Sequence, residues 1–252
     1  MAKRKQKLEL VNSTVEEHKA FAGKHFTQHH LVSFQPKTQP QEQFMRSFFE
    51  QTPIISQIGS AGTGKTAIAL YCALTEVLDR SSIYSQVIII RSCVQARDIG
   101  FLPGALDGPD SKNEVYEMPY RALCDELLTF KSNNYDNLKA KHLLEFYNTS
   151  FLRGLNFPEN SIVIVDEVQN MKYSEISTAI TRTNANSKIV LCGDYRQTDL
   201  HKKGDNSGLS QLMDVLHAMP SHMYDFVEYT PDDILRSGLV KEFLIAEERQ
   251  GK

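Results

Sequence analysis

The sequence predicts an α/β fold in which helices cover both faces of a mainly parallel β-sheet. Three short apolar runs rich in β-branched residues, 85–91, 161–167 and 187–194, indicate strands that are buried on both sides. Helical segments separate these runs, and this alternation is typical of a parallel sheet. A chain of 252 residues with 41% hydrophobic residues can bury one sizeable core. No internal repeat or linker divides it, so a single domain is expected.

The first half of the chain begins the alternation of strand and helix. Its helical segments carry apolar residues three and four positions apart, and its strands are short β-rich runs bounded by glycine or by charge. Residues 112–156 as a whole indicate helices. The expected elements are helix 41–50, strand 53–59, helix 66–80, strand 85–91, helix 121–130 and helix 138–147.

The second half continues the same pattern to the end of the chain. Two of its strands run directly into acidic residues, and its helices are again amphipathic. The expected elements are strand 161–167, strand 187–194, helix 207–219, strand 223–230 and helix 238–249.

Residues 1–35 differ from the rest in being polar, with four basic residues among the first seven. This pattern predicts a mobile basic arm with a short helix, which either contacts a nucleic acid or a partner or is a solvated tail. The compact domain is expected over residues 36–252. The histidines of the arm, His25, His29 and His30, have no acidic or cysteine partner at metal-ligand spacing.

Composition excludes several classes of protein. The formal net charge of −3 leaves any nucleic-acid contact to a local basic patch. The four cysteines form no CxxC pair and sit among apolar neighbours, which indicates buried free thiols rather than zinc ligands. No run approaches the ~20 apolar residues of a membrane span, and the basic N-terminus lacks the apolar region of a secretory signal. A cytoplasmic protein without membrane contact is therefore predicted.

Residues 59–66, GSAGTGKT, fit the phosphate-binding pattern G-x-x-x-x-G-K-S/T. Glycines let backbone N–H groups point at phosphate oxygens, and the helix that follows directs its positive end towards them. Lys65 can reach the β- and γ-phosphates, and the Thr66 hydroxyl can ligate Mg²⁺. A glycine-rich turn without a ligand is disfavoured because a strand precedes the loop and a helix follows it. The residues expected to bind the nucleotide are Gly59, Ala61, Gly62, Thr63, Gly64, Lys65 and Thr66.

An acidic pair, Asp166 and Glu167, ends the strand 161–167. A phosphate-binding loop needs such a pair on a neighbouring strand. Asp166 is expected to hold Mg²⁺ through water, and Glu167 is expected to polarise the water that attacks the γ-phosphate. No N/T-K-x-D signature for guanine is present, so ATP with Mg²⁺ is the expected ligand and hydrolysis the expected reaction. Gln197 follows the strand 187–194 and can sense the γ-phosphate; the alternative is an ordinary turn.

Several segments taken together resemble the PhoH family of P-loop ATPases, which is itself similar to the RecA-like core of superfamily 1 helicases. The resemblance runs from about Pro36 to Glu247. The segments that carry it are GSAGTGKT, IIIRSCVQARDIGFLPG, SFLRGLNF, VIVDEVQNM, LCGDYRQTDL, NSGL and DDILRSGLV. The sequence departs from the family pattern at Val168, where the family often has alanine, and at Leu155, where an arginine is usual.

The resemblance implies roles for residues that the motifs alone leave unassigned. Gln41 is similar to a glutamine that reads the adenine edge, with Gln43 as the competing candidate. Arg236 resembles a late arginine that stabilises charge on the transferring phosphoryl group, and Arg153 is a second candidate. Phe101, in the segment GFLPG, and Lys112 are candidate nucleic-acid contacts; the alternative is a structural turn.

The presence of a single core has a further implication. A superfamily 1 helicase has two such cores with ATP between them, so the resemblance implies that the arginine comes from another copy of the chain. The expected assembly is a homo-oligomer, a hexameric ring. The N-terminal RNA-binding region and the nuclease domain of longer relatives are not expected.

Three hypotheses about function compete. The first is an oligomeric, helicase-like ATPase that acts on RNA or single-stranded DNA. The second is an ATP-dependent switch that acts on a protein partner without nucleic-acid activity. The third, a nucleotide or small-molecule kinase, is disfavoured because no arginine-bearing lid is recognisable in the sequence.

Overall fold

The computed structural model describes residues 26–92, 109–130, 133–194 and 208–249, which include a six-stranded sheet whose neighbouring strands are all parallel. This confirms the predicted α/β class and the RecA-like P-loop architecture. The strands are β1 (Ile54–Gly59), β2 (Gln86–Arg91), β3 (Leu144–Asn148), β4 (Ser161–Asp166), β5 (Lys188–Gly193) and β6 (Tyr224–Tyr229).

The order of strands across the sheet is β3-β2-β4-β5-β1-β6. The phosphate-binding loop follows β1, and the acidic pair follows β4. The prediction that these two strands are neighbours was wrong, because β5 pairs with both and lies between them. The side chains of the loop and of the acidic pair must therefore meet across the end of β5.

Helices cover both faces of the sheet, and alternate strand residues face opposite layers. Ile162 and Ile164 of β4 pack with α1 to α4, whereas Val163 and Val165 pack with α5 and α6. Such two-sided burial accounts for strands that are continuously apolar. The helices are α1 (Gln39–Phe49), α2 (Lys65–Val77), α3 (Pro109–Leu127), α4 (Asn134–Ala140), α5 (Tyr173–Thr181), α6 (Leu209–His217) and α7 (Gly238–Arg249).

Strand β3 corrects the sequence prediction for residues 138–147. The helix expected there is the short α4, after which His142 adopts a left-handed φ of 55° and the chain enters β3. Strand β3 lies at the edge of the sheet and pairs with β2, so its conformation is decided by a partner that is distant in sequence. A spacing of three and four positions between apolar residues does not reveal such a partner.

The described part of the N-terminal segment packs against the domain. Phe26 is buried in the core and meets Phe130 edge-to-face at 5.4 Å between ring centroids, while His30 stacks on Phe130 at 4.5 Å. The only regular helix in residues 26–35 is a 3₁₀ turn, Gln28–His30. The basic residues of the predicted arm lie outside the described residues.

The remaining composition-based predictions concern cysteines, metals and membranes. Cys72, Cys124 and Cys192 are buried free thiols, as predicted, and Cys93 lies outside the described residues. The described ranges contain no cluster of three or more metal-ligating side chains. Within the same ranges, every helix is too short or too polar to cross a lipid bilayer.

Lys188 is a buried lysine in the core beside α1. Its ammonium group donates to the carbonyl oxygen of Phe48, near the C-terminal end of α1, and lies 4.5 Å from the centroid of the Phe48 ring. Burial lowers the pKa of Lys188 to about 8, although Glu76 opposes this effect. The folded chain thus gives up a proton that the unfolded chain holds up to the ordinary lysine pKa of 10.5.

This difference predicts a pH-dependent stability. Between pH 8 and 10.5 the unfolded chain binds more protons, so the Lys188 contribution to the free energy of unfolding rises with pH. We expect the free energy of unfolding of the wild type minus that of Lys188→Met to increase over this window in urea titrations. Substitution of the exposed Lys172 is the control, and it should leave the difference constant. A difference that falls with pH would contradict the assignment.

Candidate functional site

The predicted phosphate-binding loop, the acidic pair and Arg236 meet at the carboxyl edge of the sheet, where ligands of parallel α/β proteins bind. A cavity of about 420 Å³ opens there. The phosphate-binding loop and the start of α2 form one side of it, and the ends of β2, β4 and β5 form another. Helix α3 and the segment before α7 complete the lining through Pro119, Tyr120, Ala122, Leu123 and Arg236.

The phosphate-binding loop has the open backbone that its glycines predict. Gly62 and Gly64 have left-handed φ angles of 75° and 83°, which disfavour residues with a Cβ. Gly64 is the N-cap of α2, so the helix begins at Lys65. A Cβ on Gly62 would lie 2.9 Å from Cγ of Arg236, and one on Gly64 would lie 3.0 Å from Nε2 of Gln41. The missing side chains therefore allow two other residues to approach the loop.

Lys65 lies within the loop rather than in solvent. Its Nζ donates to the carbonyl oxygens of Gly59 at 2.8 Å and Ser60 at 2.7 Å, and to Oγ1 of Thr63 at 3.2 Å. Burial lowers the pKa of Lys65, while the charge of Asp194 opposes the shift most strongly. The ammonium group is thus held at the floor of the cavity by groups that a phosphate oxygen can replace.

Asp166 and Thr66 form the link between β4 and α2 that the two motifs predict. The Thr66 hydroxyl donates to Oδ1 of Asp166 at 2.9 Å. The Tyr120 hydroxyl, from α3, donates to Oδ2 at 2.7 Å. Each oxygen of this buried carboxylate is therefore bound from a different element.

Glu167 leaves the strand in a left-handed conformation, with φ of 57°. Such a conformation costs a non-glycine residue of the order of 1 kcal/mol and is common at functional sites. Nε2 of Gln169 donates to the Glu167 carboxylate, while Oε1 of Gln169 accepts from the Asp194 backbone N–H at 3.0 Å. An ion pair at 3.9 Å joins Glu167 to Arg91. Burial, and then the charge of Asp166, raises the pKa of Glu167, while Arg91 and Gln169 oppose the shift.

The two candidate adenine-reading glutamines have different surroundings. Gln41 is buried, its Nε2 donates to the Thr63 carbonyl oxygen at 2.9 Å, and its Oε1 accepts from the Lys37 N–H at 2.8 Å. Gln43 does not share these contacts, and its Nε2 donates to the carbonyl oxygen of Phe226 on β6 at 3.2 Å. Gln41 is thus the one that contacts the phosphate-binding loop.

The two candidate arginines are separated in the same way. Arg236 lines the cavity. The neighbouring residue, Leu235, donates a backbone hydrogen bond of 3.0 Å to the Gly62 carbonyl oxygen. Arg153 is exposed beyond the end of β3 and does not line the cavity. Arg236 lies beside the phosphate-binding loop of its own chain, so an arginine from another copy is not needed to bring such a group to the cavity.

Three further residues that contact the site were not assigned from the sequence. Arg91 pairs in register with Asp166 across β2 and β4, Tyr120 comes from the middle of α3, and Gln169 lies in the 3₁₀ turn after Glu167. The pairing of Arg91 with Asp166 would have indicated that Arg91 lies at the site. This pairing can be inferred only when β2 and β4 are known to be neighbours. Phe101, Gln197 and the side chain of Lys112 lie outside the described residues.

The donors in the cavity fit a nucleotide polyphosphate with Mg²⁺. The loop offers backbone N–H groups, a helix N-terminus and an ammonium group, which are the groups that bind phosphate. Thr66 and Asp166 offer a hydroxyl and a carboxylate, the hard oxygen ligands that Mg²⁺ takes.

Comparison with known proteins gives one family. The family model described as PhoH-like protein matches residues 33–247. The chain is similar to Protein PhoH2 of Bacillus subtilis (31% identity, 77% of this chain and 44% of that protein) and to the PhoH-like protein of the same organism (30%, 86% and 65%). It is also similar to the PhoH-like protein of Mycobacterium leprae (31%, 84% and 57%). The matches thus cover 44–65% of the length of these relatives.

Among solved structures, the chain is similar to the Pif1 helicase of Candida albicans. The two share 14% identity with a TM-score of 0.36, over 79% of this chain and 41% of the helicase. A similarity this distant has no bearing on function.

Proposed function

This chain belongs to the PhoH-like protein family, and we propose that it binds ATP with Mg²⁺ and hydrolyses it. One observation carries the proposal: the Thr66 hydroxyl, at the start of α2, donates a hydrogen bond of 2.9 Å to Asp166 across the end of β5. That contact joins the phosphate-binding loop to the acidic pair, and the two together bind and activate a nucleoside triphosphate in P-loop proteins. The absence of a guanine-reading signature favours ATP.

In this mechanism the phosphates lie against the backbone N–H groups of the loop and the first turn of α2. The Lys65 ammonium group exchanges its carbonyl partners for β- and γ-phosphate oxygens. Thr66 and Asp166 would hold Mg²⁺, which would supply positive charge against the charge that develops on the phosphates. Preorganised groups of this kind stabilise the transition state at little cost in reorganisation.

Glu167 orients the attacking water and accepts its proton. The oxygen of the water attacks the γ-phosphorus, the bond from this phosphorus to the bridging oxygen breaks, and ADP and inorganic phosphate leave. Gln169 supports this role because it joins the Glu167 carboxylate to the Asp194 backbone N–H at the end of β5. Gln197, three residues beyond Asp194, is the proposed γ-phosphate sensor.

Gln41 is the proposed adenine-reading residue. A glutamine amide has two N–H donors and two acceptor lone pairs. The contacts with Thr63 and Lys37 use one of each. Because Gln41 is 1% exposed and does not line the cavity, adenine reading requires its side chain or the loop to move. Its contact with the loop favours Gln41 over Gln43.

Action on RNA or single-stranded DNA is the finer part of the proposal. The basic residues at the start of the chain, together with Phe101 and Lys112, are the proposed contacts. Steady-state ATP hydrolysis with and without single-stranded RNA and DNA tests it, on protein sized by light scattering. Stimulation in an oligomeric fraction supports an oligomeric ATPase that acts on nucleic acid, and hydrolysis that ignores both nucleic acids contradicts it.

The second candidate, an ATP-dependent switch on a protein partner, is favoured by the surface of α7. Leu239 and Phe243 are 84% and 61% exposed, and Leu244 of the same helix lies 3.6 Å from the position of a Cβ on Gly62. An apolar helix face beside the phosphate-binding loop can transmit the state of the nucleotide to a protein, including another copy of this chain. Hydrolysis stimulated by a protein and not by nucleic acid would select this candidate.

Arg236→Ala is expected to lower ATP turnover by about 10- to 10²-fold while nucleotide affinity changes little. The estimate follows from the loss of one hydrogen bond to a charged phosphate group at an exposed position. Turnover and nucleotide binding, measured separately, check this expectation. Arg153→Ala is the matched control and should leave turnover unchanged; the reverse pattern would transfer the role to Arg153.

A mixing experiment tests whether Arg236 acts within its own chain. Arg236→Ala and Lys65→Ala chains each lack one part of the site. Because Arg236 lies beside the loop of its own chain, we expect no recovery of turnover at any mixing ratio. Recovery in mixed oligomers would mean that the arginine serves a neighbouring copy.

A further inference from the structure

Tyr120 is a polar contact of the site that lies outside every motif used above. It is in the middle of α3 and is fully buried, with its ring 5.8 Å from that of Phe146. Tyr120 lines the cavity, and its hydroxyl donates to Oδ2 of Asp166 at 2.7 Å. A buried tyrosine hydroxyl usually has one such partner, and here the partner is the carboxylate assigned to Mg²⁺.

The two carboxylate oxygens of Asp166 accept hydrogen bonds from different residues. Oδ1 accepts from Thr66, the other residue assigned to Mg²⁺, and Oδ2 accepts from Tyr120. The terminal torsion of an aspartate is broad, so a single hydrogen bond does not fix the plane of the carboxylate. Two donors on opposite oxygens do fix it, and Tyr120 is the donor that leaves Oδ1 to Thr66 and the metal.

We propose that Tyr120 is a positioning residue for Mg²⁺, which acts by holding the Asp166 carboxylate in the orientation that the metal requires. The inference rests on the proposed function, because it takes Asp166 as a magnesium ligand. Groups that orient a metal ligand in this way typically contribute about 10- to 100-fold to metal affinity. Tyr120 touches neither nucleotide nor water in this assignment and is not a catalytic residue.

The surroundings of Tyr120 keep its hydroxyl a donor. A phenol hydroxyl that lies 2.7 Å from a carboxylate oxygen is the donor of the pair. The guanidinium group of Arg91, on β2, adjoins the same hydroxyl. Helix α3 thereby positions the Tyr120 hydroxyl, which donates a hydrogen bond to Asp166. No residue of α3 belongs to the phosphate-binding or acidic motifs.

The test is the effect of Mg²⁺ on nucleotide affinity in the full chain with Tyr120→Phe. Affinity for ATP is measured by calorimetry in Mg²⁺ and again in EDTA, so the readout does not depend on turnover. We expect the variant to equal the wild type in EDTA, because the phosphate-binding loop is intact. In Mg²⁺ we expect it to lose about 10-fold of the gain in affinity that the wild type shows.

The matched control is Tyr84→Phe. Tyr84 is also buried, and its hydroxyl donates to Oε1 of Gln51 at 3.0 Å, at the opposite edge of the sheet. Both variants lose one tyrosine hydroxyl that donates a hydrogen bond to a side chain, and thermal unfolding of both shows how far each loss affects stability. Only Tyr120→Phe should change the effect of Mg²⁺, and an unchanged effect in that variant overturns the proposal.

Failure of the proposed function and failure of the Tyr120 proposal give different results. If wild-type protein does not bind ATP, the proposed function fails; if it binds with a normal Mg²⁺ effect that Tyr120→Phe retains, only the role of Tyr120 fails. Should the variant not fold, 3-fluorotyrosine placed at position 120 of the wild-type chain replaces it. Its ¹⁹F resonance is expected to shift when Mg²⁺ joins bound ATP, and a resonance that does not move overturns the proposal.

Discussion

Lys65→Ala is expected to lower ATP turnover by roughly 10²- to 10³-fold, the effect of removing a preorganised group that stabilises charge on the reacting phosphate. The ammonium group is the one side-chain cation of the phosphate-binding loop, residues 59–66, and it is held there by two carbonyl oxygens within 2.8 Å. Nucleotide affinity should fall as well, because the same charge contacts the ground-state phosphates. Phosphate release gives the turnover, and calorimetry gives the affinity.

Loss of Lys65 also leaves the carbonyl oxygens of Gly59 and Ser60 without this donor, so the fold of the variant must be monitored. Thermal unfolding separates a damaged loop from a missing charge. The control is Lys172→Ala, an exposed lysine before α5 that lies outside the cavity. Wild-type turnover in a folded Lys65→Ala variant would refute the assignment of the phosphate site.

Glu167→Gln is expected to keep ATP affinity and to lose roughly 10²- to 10⁴-fold in turnover, the range for a side chain that takes a proton in the transition state. The substitution preserves size and leaves an oxygen to accept the hydrogen bond from Gln169. It removes the negative charge that accepts the proton of the attacking water. Single-turnover hydrolysis at saturating ATP, with affinity measured beside it, separates chemistry from binding.

The control for Glu167 is Glu159→Gln. Glu159 is exposed in the loop that enters β4, at the opposite edge of the sheet from the cavity, and its substitution makes the same chemical change. It should leave both affinity and turnover as in the wild type. A Glu167→Gln rate close to that of the wild type would mean that another group orients the water.

Much of the fold could be predicted because the relevant forces are local or repetitive. Strands β2, β4 and β5 are apolar throughout because both of their faces are covered, and this pattern is visible in the residues themselves. Strand β3 was missed because an edge strand with polar positions has no such pattern. Its conformation comes from pairing with β2, which lies more than one helix earlier in the chain.

By itself, the sequence determined the class of the fold, the phosphate-binding loop and the acidic pair, because residues 59–66 and 161–167 are contiguous segments whose spacing fixes their geometry. Tertiary structure alone decided that β5 separates β1 from β4, that Arg236 reaches the loop of its own chain, and that Tyr120 binds Asp166. The physical reason is that these contacts join side chains from different elements. Their distances depend on how helices and strands pack, and packing is a property of the whole core.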